Sequence, residues 1–321
     1  MSTPSPSREL ASVIIRPMQE GDLAEARRIF RVAFGTFLGM PEPEAFAADR
    51  EYIVTRWRAH PEAFLVAEAN GALAGSNFVT NWGSFGFFGP LTVRPDLWNH
   101  HIAQKLLVPT MDLFQQWRVR EAGLYTFAQS PKHIALYQKF GFWPRFLTAL
   151  MSKDVTGRAA SLIKFSALNE GDQAQALGAC CELTGSIYDG LDVSSEILSV
   201  HQQNLGETVL LWGGETLDAF AVCHGGEGTE AGRNNCYIKF AAVRPGPGAE
   251  NKFDHLLDAC EALAAERGWQ RLVAGVNLGR SQAYRHMLRR GFRTDSQGVA
   301  MQKPDSPAYN RPDVFVLDDW R

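Results

Sequence analysis

Ser130-Pro131-Lys132-His133-Ile134-Ala135-Leu136-Tyr137-Gln138-Lys139-Phe140-Gly141-Phe142 is the stretch on which the fold turns. It reads as a helix over 133–140 stopped at Gly141, because glycine enters the left-handed conformation that closes a helix without a side-chain penalty. Apolar strands flank it at 124–128 and 146–152. The same ending returns further along, with Gly141-Phe142 recurring as Gly291-Phe292 (291 − 141 = 150). Three more pairs keep that offset: Glu20-Gly21-Asp22 with Glu170-Gly171-Asp172, Val93-Arg94-Pro95 with Val243-Arg244-Pro245, and Leu106-Leu107 with Leu256-Leu257. Four matches in one register identify a duplicated domain.

Working outward, the first copy reads βααβββαβαβ. Ser12–Pro17 is a strand, and Asp22 is the N-cap of a helix reaching Phe37. A second helix is expected over 44–58. Strands at 64–69 and 72–79 form a hairpin on Asn70-Gly71, a type I′ signal. Phe87–Val93 is one more strand, and a long helix spans about 102–120 with Pro109 inside it. Gly123 and Gly268, each placed at the end of that helix, are 145 apart (268 − 123) and imply a shorter helix in the second copy. That copy is expected to carry a strand at 237–243, helices at 253–265 and 282–290, a strand at 272–276 and an added strand at 313–317. The expected division is a flexible N-terminus (1–11), a first domain (12–152), a linker (153–159) and a second domain (160–321).

Composition narrows the function. The 321 residues suit about two domains at roughly 150 residues each. Hydrophobic residues make up 45% and charged residues 21%, which suits a packed chain and not a disordered one. A net charge of −3 supplies no basic face for nucleic acid. Apolar runs are too short to span a bilayer, and the polar, Pro- and Ser-rich N-terminus does not look like a secretory signal. The five cysteines (Cys180, Cys181, Cys223, Cys236 and Cys260) contain no CxxC and read as reduced thiols in a cytoplasmic protein, with no metal site.

The order of elements, together with Val93–Leu107 and Leu136–Phe142, resembles the GCN5-related N-acetyltransferase (GNAT) family twice over. The resemblance implies an α/β (α+β) fold of two GNAT-like domains. Each would be a mixed, splayed, mainly antiparallel sheet flanked by helices. It implies acetyl-CoA as co-substrate, with no metal, and a small-molecule amine as acceptor; it leaves the oligomeric state open. The splayed edge would be Leu91-Thr92-Val93, whose backbone pairs with the pantetheine arm. The pyrophosphate would rest on Asn99, His100, His101, Ile102, Ala103 and Gln104 at the start of the long helix, where free N–H groups and the helix dipole favour anions. Ser130 falls where relatives often place a residue contacting pantetheine, and it is also a cap candidate.

This loop departs from the family's Arg/Gln-x-x-Gly-x-Gly/Ala. Trp98 replaces the Arg/Gln, His101 replaces the first Gly, and only Ala103 keeps the small residue. Asn and His tolerate positive φ better than most residues. His100 and His101 also read as a solvent-facing pair. In the second copy Asn251 and Phe253 stand at the corresponding places and Glu250 adds negative charge, so that copy is expected to be degenerate and to pack against the first.

Tyr137 occupies the family's usual acid position, four residues before Gly141. A tyrosine of pKa about 10 is protonated at neutral pH and suited to give a proton to the leaving thiolate. Packing on the sheet is its other reading. The matching residue in the second copy is Met287, which places catalysis in the first. Ala69–Pro95 contains no Asp or Glu, so no base is assigned. Phe78, Trp82, Phe85, Phe87 and Phe88 are mostly core, and any facing the cleft would favour an apolar or aromatic acceptor. The alternative to an acetyltransferase is an inactive acyl-CoA-binding sensor.

Overall fold

The first half runs β1 (Val13–Pro17), α1 (Leu23–Phe37), α2 (Ile53–Ala59), β2 (Phe64–Ala69), β3 (Ala72–Trp82), β4 (Phe85–Phe88), β5 (Thr92–Val93), α3 (Ile102–Gln116), β6 (Glu121–Thr126), α4 (Pro131–Gln138) and β7 (Trp143–Asp154). The second runs β8 (Ile163–Lys164), α5 (Glu170–Ile187), α6 (Ser194–Gln202), β9 (Gly206–Gly213), β10 (Thr216–Gly226), β11 (Gly232–Val243), α7 (Ala249–Glu266), β12 (Arg271–Asn277), α8 (Ser281–Arg289), β13 (Arg293–Lys303) and β14 (Val316–Leu317). This computed structural model describes residues 12–157 and 160–321. The stretch 1–11 and residues 158–159 of the expected linker lie outside the described residues.

Local chemistry explains most of these boundaries. Asn70 (φ 53) and Gly71 (φ 74) both take the positive φ of a type I′ turn, which fixes the β2–β3 register. Alternation along β2 turns Phe64 and Val66 towards α1 and α2, and Leu65 and Ala67 towards α3. The sheet is therefore covered on both faces.

Three expectations are corrected. The helix expected over 44–58 is only α2, preceded by a single 3₁₀ turn at Pro43–Ala45. Phe46 leaves the helical path to stack on Phe34 (5.3 Å between centroids), and the Glu51 carboxylate accepts the N–H groups of Ile53 and Val54, starting the helix there. The single strand at 87–93 is two, β4 and β5, because Gly89 (φ 136) and Pro90, which has no N–H, interrupt the ladder to β3. Gly123 lies inside β6. The left-handed residue that closes α3 is Arg118 (φ 55), 150 residues before Gly268 (φ 72; 268 − 118). The repeat therefore keeps its register at these helices, and α7, with 18 residues, is longer than the 15-residue α3. The slip falls instead at the hairpins, where β10 starts 144 residues after β3 (216 − 72).

The halves are interlocked. The sheet runs β1-β2-β3-β4-β6-β13-β7-β12-β11-β10-β9-β8. Thus β13, from the second half, pairs antiparallel with β6 of the first, and β7, from the first, pairs antiparallel with β12 of the second. Val299 faces Thr126 and Val276 faces Ala149, the same pairing displaced by 150 residues (299 − 149, 276 − 126). β7 and β13 thus each complete the other half's sheet. A buried polar link joins them as well: Glu230 meets Arg56 at 2.7 Å and Lys239 at 2.8 Å, and Arg56 donates to the Gly89 carbonyl at 3.0 Å. Burial alone would raise the Glu230 carboxyl, but the two cations hold it well below the usual carboxylate range.

Candidate active site

The two halves each contain one pair of parallel strands that part company. In the first, β4 pairs with β6 from Phe85↔Glu121 to Phe87↔Gly123 and then diverges into β5. In the second, β11 pairs with β12 from Asn235↔Arg271 to Ile238↔Ala274.

The two clefts have different contents. The second is filled by the chain's own C-terminal strand. β14 pairs antiparallel with β11, Ala241 opposite Leu317 and Ala242 opposite Val316. The Val243 N–H donates to the Phe315 carbonyl at 3.0 Å, and the Phe315 ring packs on Phe253 and His286. Val243 is the counterpart of Val93 (243 − 93 = 150), so the exposed strand edge of this half already has a partner.

The first cleft opens into a cavity of about 640 Å³ whose lining residues all fall between Ala33 and Lys139. Leu91, Thr92 and Val93 line one side. The Arg94 N–H bonds across β3 to the Ala74 carbonyl at 2.9 Å, so by alternation the N–H of Val93 points the other way, into the cleft. Asn99, His101, Ile102, Ala103 and Gln104 line the mouth. Asn99 (φ 70) and His101 (φ 61) both take the left-handed conformation that suits glycine best. The turn delivers the chain into α3 with the first-turn N–H groups at the cavity. Supporting contacts hold this loop. The Trp98 indole donates to the Val93 carbonyl (2.8 Å), Lys132 donates to the Asn99 side chain (2.8 Å), and Gln104 bonds the His101 ring (3.0 Å). Because φ is positive at Asn99, Asn99→Gly is expected to keep the melting temperature within about 2 °C, whereas Asn99→Val should destabilise by roughly 1–2 kcal/mol. Equal melting of the two variants would show that the loop does not depend on this conformation.

Tyr137 reaches the cavity from α4 and is 7% exposed. Its ring packs near Phe88 (5.7 Å) and Phe142, Thr126 lies against its hydroxyl, and burial raises its pKa above that of a free phenol. It is thus both a packed aromatic and a protonated donor at the cavity wall. Two other residues named from the sequence do not line the cavity. His100 is half-buried in the loop, and Ser130, 6% exposed, sits at the N-cap of α4 without a side-chain capping bond. The aromatics Phe78, Trp82, Phe85, Phe87 and Phe88 are all 2% exposed or less and none lines the cavity, because they are sandwiched between sheet and helices.

Among the lining residues that escaped the sequence reading are Phe34 and Phe37 at the end of α1, and His133. His133 precedes Tyr137 by four residues, a spacing that puts both on one helix face. Phe37 contacts His133 (4.9 Å) and Phe127 (4.7 Å). Nδ1 of His133 is buried with no hydrogen-bond partner, and burial, with help from Lys132, lowers the pKa of the ring. Among the described residues no cluster of His, Cys, Asp or Glu is placed to hold a metal.

Residues 24–142 match the family model described as Acetyltransferase (GNAT) family. Solved structures similar to the whole chain include a Pyrococcus horikoshii protein provisionally named an acetyltransferase, with a TM-score of 0.68 and 13% identity over 98% of this chain and 97% of that one. A GCN5-related N-acetyltransferase from Sphaerobacter thermophilus gives a TM-score of 0.60 and 17% identity over 91% and 95%. Another from Anabaena variabilis gives 0.54 and 12% over 93% and 74%. Among curated proteins none matches this sequence.

Proposed function

We propose, from the premise that residues 24–142 are an acetyltransferase (GNAT) family domain, that this chain moves an acetyl group from acetyl-CoA to an amine in its first cleft alone. The observation that carries this reading is the cavity. It joins, in one space, a strand edge with an inward N–H at Val93, a helix start with free N–H donors, and a buried protonated tyrosine. The residues present fit the donor. The amides of a pantetheine arm need a strand-like edge, which β5 offers. A pyrophosphate needs convergent N–H groups and positive charge, which the start of α3 and Lys132 offer. In the reaction the amine nitrogen bonds to the thioester carbon, the Val93 N–H stabilises the charge developing on the carbonyl oxygen, the C–S bond breaks as Tyr137 gives its proton to sulfur, and the proton shed by the nitrogen restores the tyrosine.

The second half is assigned a structural part. Its strand edge is occupied by β14, bulky Phe253 lies where the first half has Ala103, and Met287 replaces the acid. Calorimetry with acetyl-CoA should therefore find one site per chain, and free thiol should appear with an amine panel. Binding without thiol release from any amine would favour the acyl-CoA sensor instead, and two equivalent sites would contradict the assignment to one cleft.

A further inference from the structure

Resting on that reading, we infer that the acceptor is a flat aromatic amine whose nitrogen is uncharged at neutral pH, seated against the wall that Phe34 and Phe37 of α1 form with His133 of α4. None of the cavity's lining residues is acidic, whereas Lys132 and Lys139 both line it. Such a cavity complements the phosphates of the donor. It gives an alkylammonium nothing: no carboxylate to pair with, none to take its proton, and two cations nearby. An alkylamine of pKa about 10 is neutral in only about one molecule in a thousand at neutral pH, and no carboxylate lines the cavity to accept its proton. An arylamine has its lone pair available already.

The wall facing the strand edge suits the body of such a molecule. Phe34 and Phe37 are part of an aromatic cluster with Phe46 and Phe127, with Phe34 stacked on Phe46 and Phe37 held at 4.7 Å from Phe127. A planar ring lying in the cavity against Phe34 and Phe37 finds aromatic contacts there. His133 supplies the polar group. Its position at the edge of Phe37, its unpartnered Nδ1 and its lowered pKa make it a neutral imidazole at neutral pH, suited to accept a hydrogen bond from an amine N–H. The transfer is balanced without any outside acid or base. The nitrogen bonds to the acetyl carbon, the C–S bond breaks, the sulfur takes the Tyr137 proton, and the proton shed by the nitrogen returns to Tyr137, with no change in oxidation state.

The test is kcat/KM on the full chain at neutral pH with three acceptors: a substituted aniline, phenethylamine (aromatic but cationic) and spermidine (cationic without a ring). Acetyl-CoA binding is measured first by calorimetry. The aniline is expected to lead phenethylamine by about tenfold or more, and spermidine by a larger margin. Phe37→Ala should raise the aniline KM several-fold and leave the acetyl-CoA affinity unchanged. If acetyl-CoA binds and the cationic amines are acetylated as well as the aniline or better, the inference falls while the acetyltransferase reading stands. If acetyl-CoA does not bind, both fall.

Discussion

Tyr137→Phe is expected to lower kcat by about 10²–10³-fold while leaving the dissociation constant for acetyl-CoA within about twofold. The split follows from the two parts proposed for the residue. The ring fills space beside Phe88 and Phe142 in the core under α4, and phenylalanine keeps those contacts. Only the hydroxyl is lost, and with it the proton for the departing sulfur. A thiolate of pKa near 8.5 leaves poorly without a proton donor beside it. Stability should change little, because the substitution removes a buried polar atom and leaves no charge behind. Since burial raises the tyrosine pKa, the wild-type kcat should show no fall from loss of this proton anywhere below about pH 10. A Tyr137→Phe protein that keeps its kcat within about twofold would remove Tyr137 as the donor and leave it a packing residue.

The scaffold was legible because it is repeated. The Gly-Phe and Val-Arg-Pro pairs hold one offset, and even the mistaken pairing of Gly123 with Gly268 resolves once Arg118 is seen to take the left-handed conformation. The cavity mouth was legible for a related reason. Asn99 and His101 tolerate positive φ, so the loss of glycine did not destroy the turn. The exchange of β7 and β13 was not legible. The two strands follow equivalent helices and meet the same register on either side, so nothing within Trp143–Asp154 states which sheet it joins. Nor could the break after Phe88 be seen, since Gly89-Pro90 reads as readily as a strand end. His133 was within reach. Its four-residue spacing from Tyr137 places it on the cavity face of α4.

Asp318→Ala is expected to cost about 3–5 kcal/mol, a large share of the total stability of a folded chain, and to lower the melting temperature by roughly 5–10 °C. The reason lies beneath the second cleft. Arg280 is 0% exposed and Asp318 1%. The guanidinium donates to Asp318 Oδ1 at 2.7 Å and to the Val316 carbonyl at 3.0 Å, and the Tyr309 hydroxyl donates to Asp318 Oδ2 at 2.8 Å. Removing the carboxylate leaves a buried cation without its counter-charge and a buried phenol without its acceptor, which is the costly way to break such a pair. The same contacts tether the strand that fills the cleft, so the loss should reach beyond stability. β14 loses its anchor, the Val243 N–H loses the Phe315 carbonyl as the strand lifts, and amide exchange at Val243 should quicken while that at Val209, in the core of the same half, stays slow. Arg280→Met with Asp318→Leu, which removes both charges together, should recover much of the stability, because a matched apolar pair leaves no orphaned ion. If Asp318→Ala melts within about 1 °C of the parent, the strand is held by its apolar contacts alone and the ion pair contributes nothing measurable.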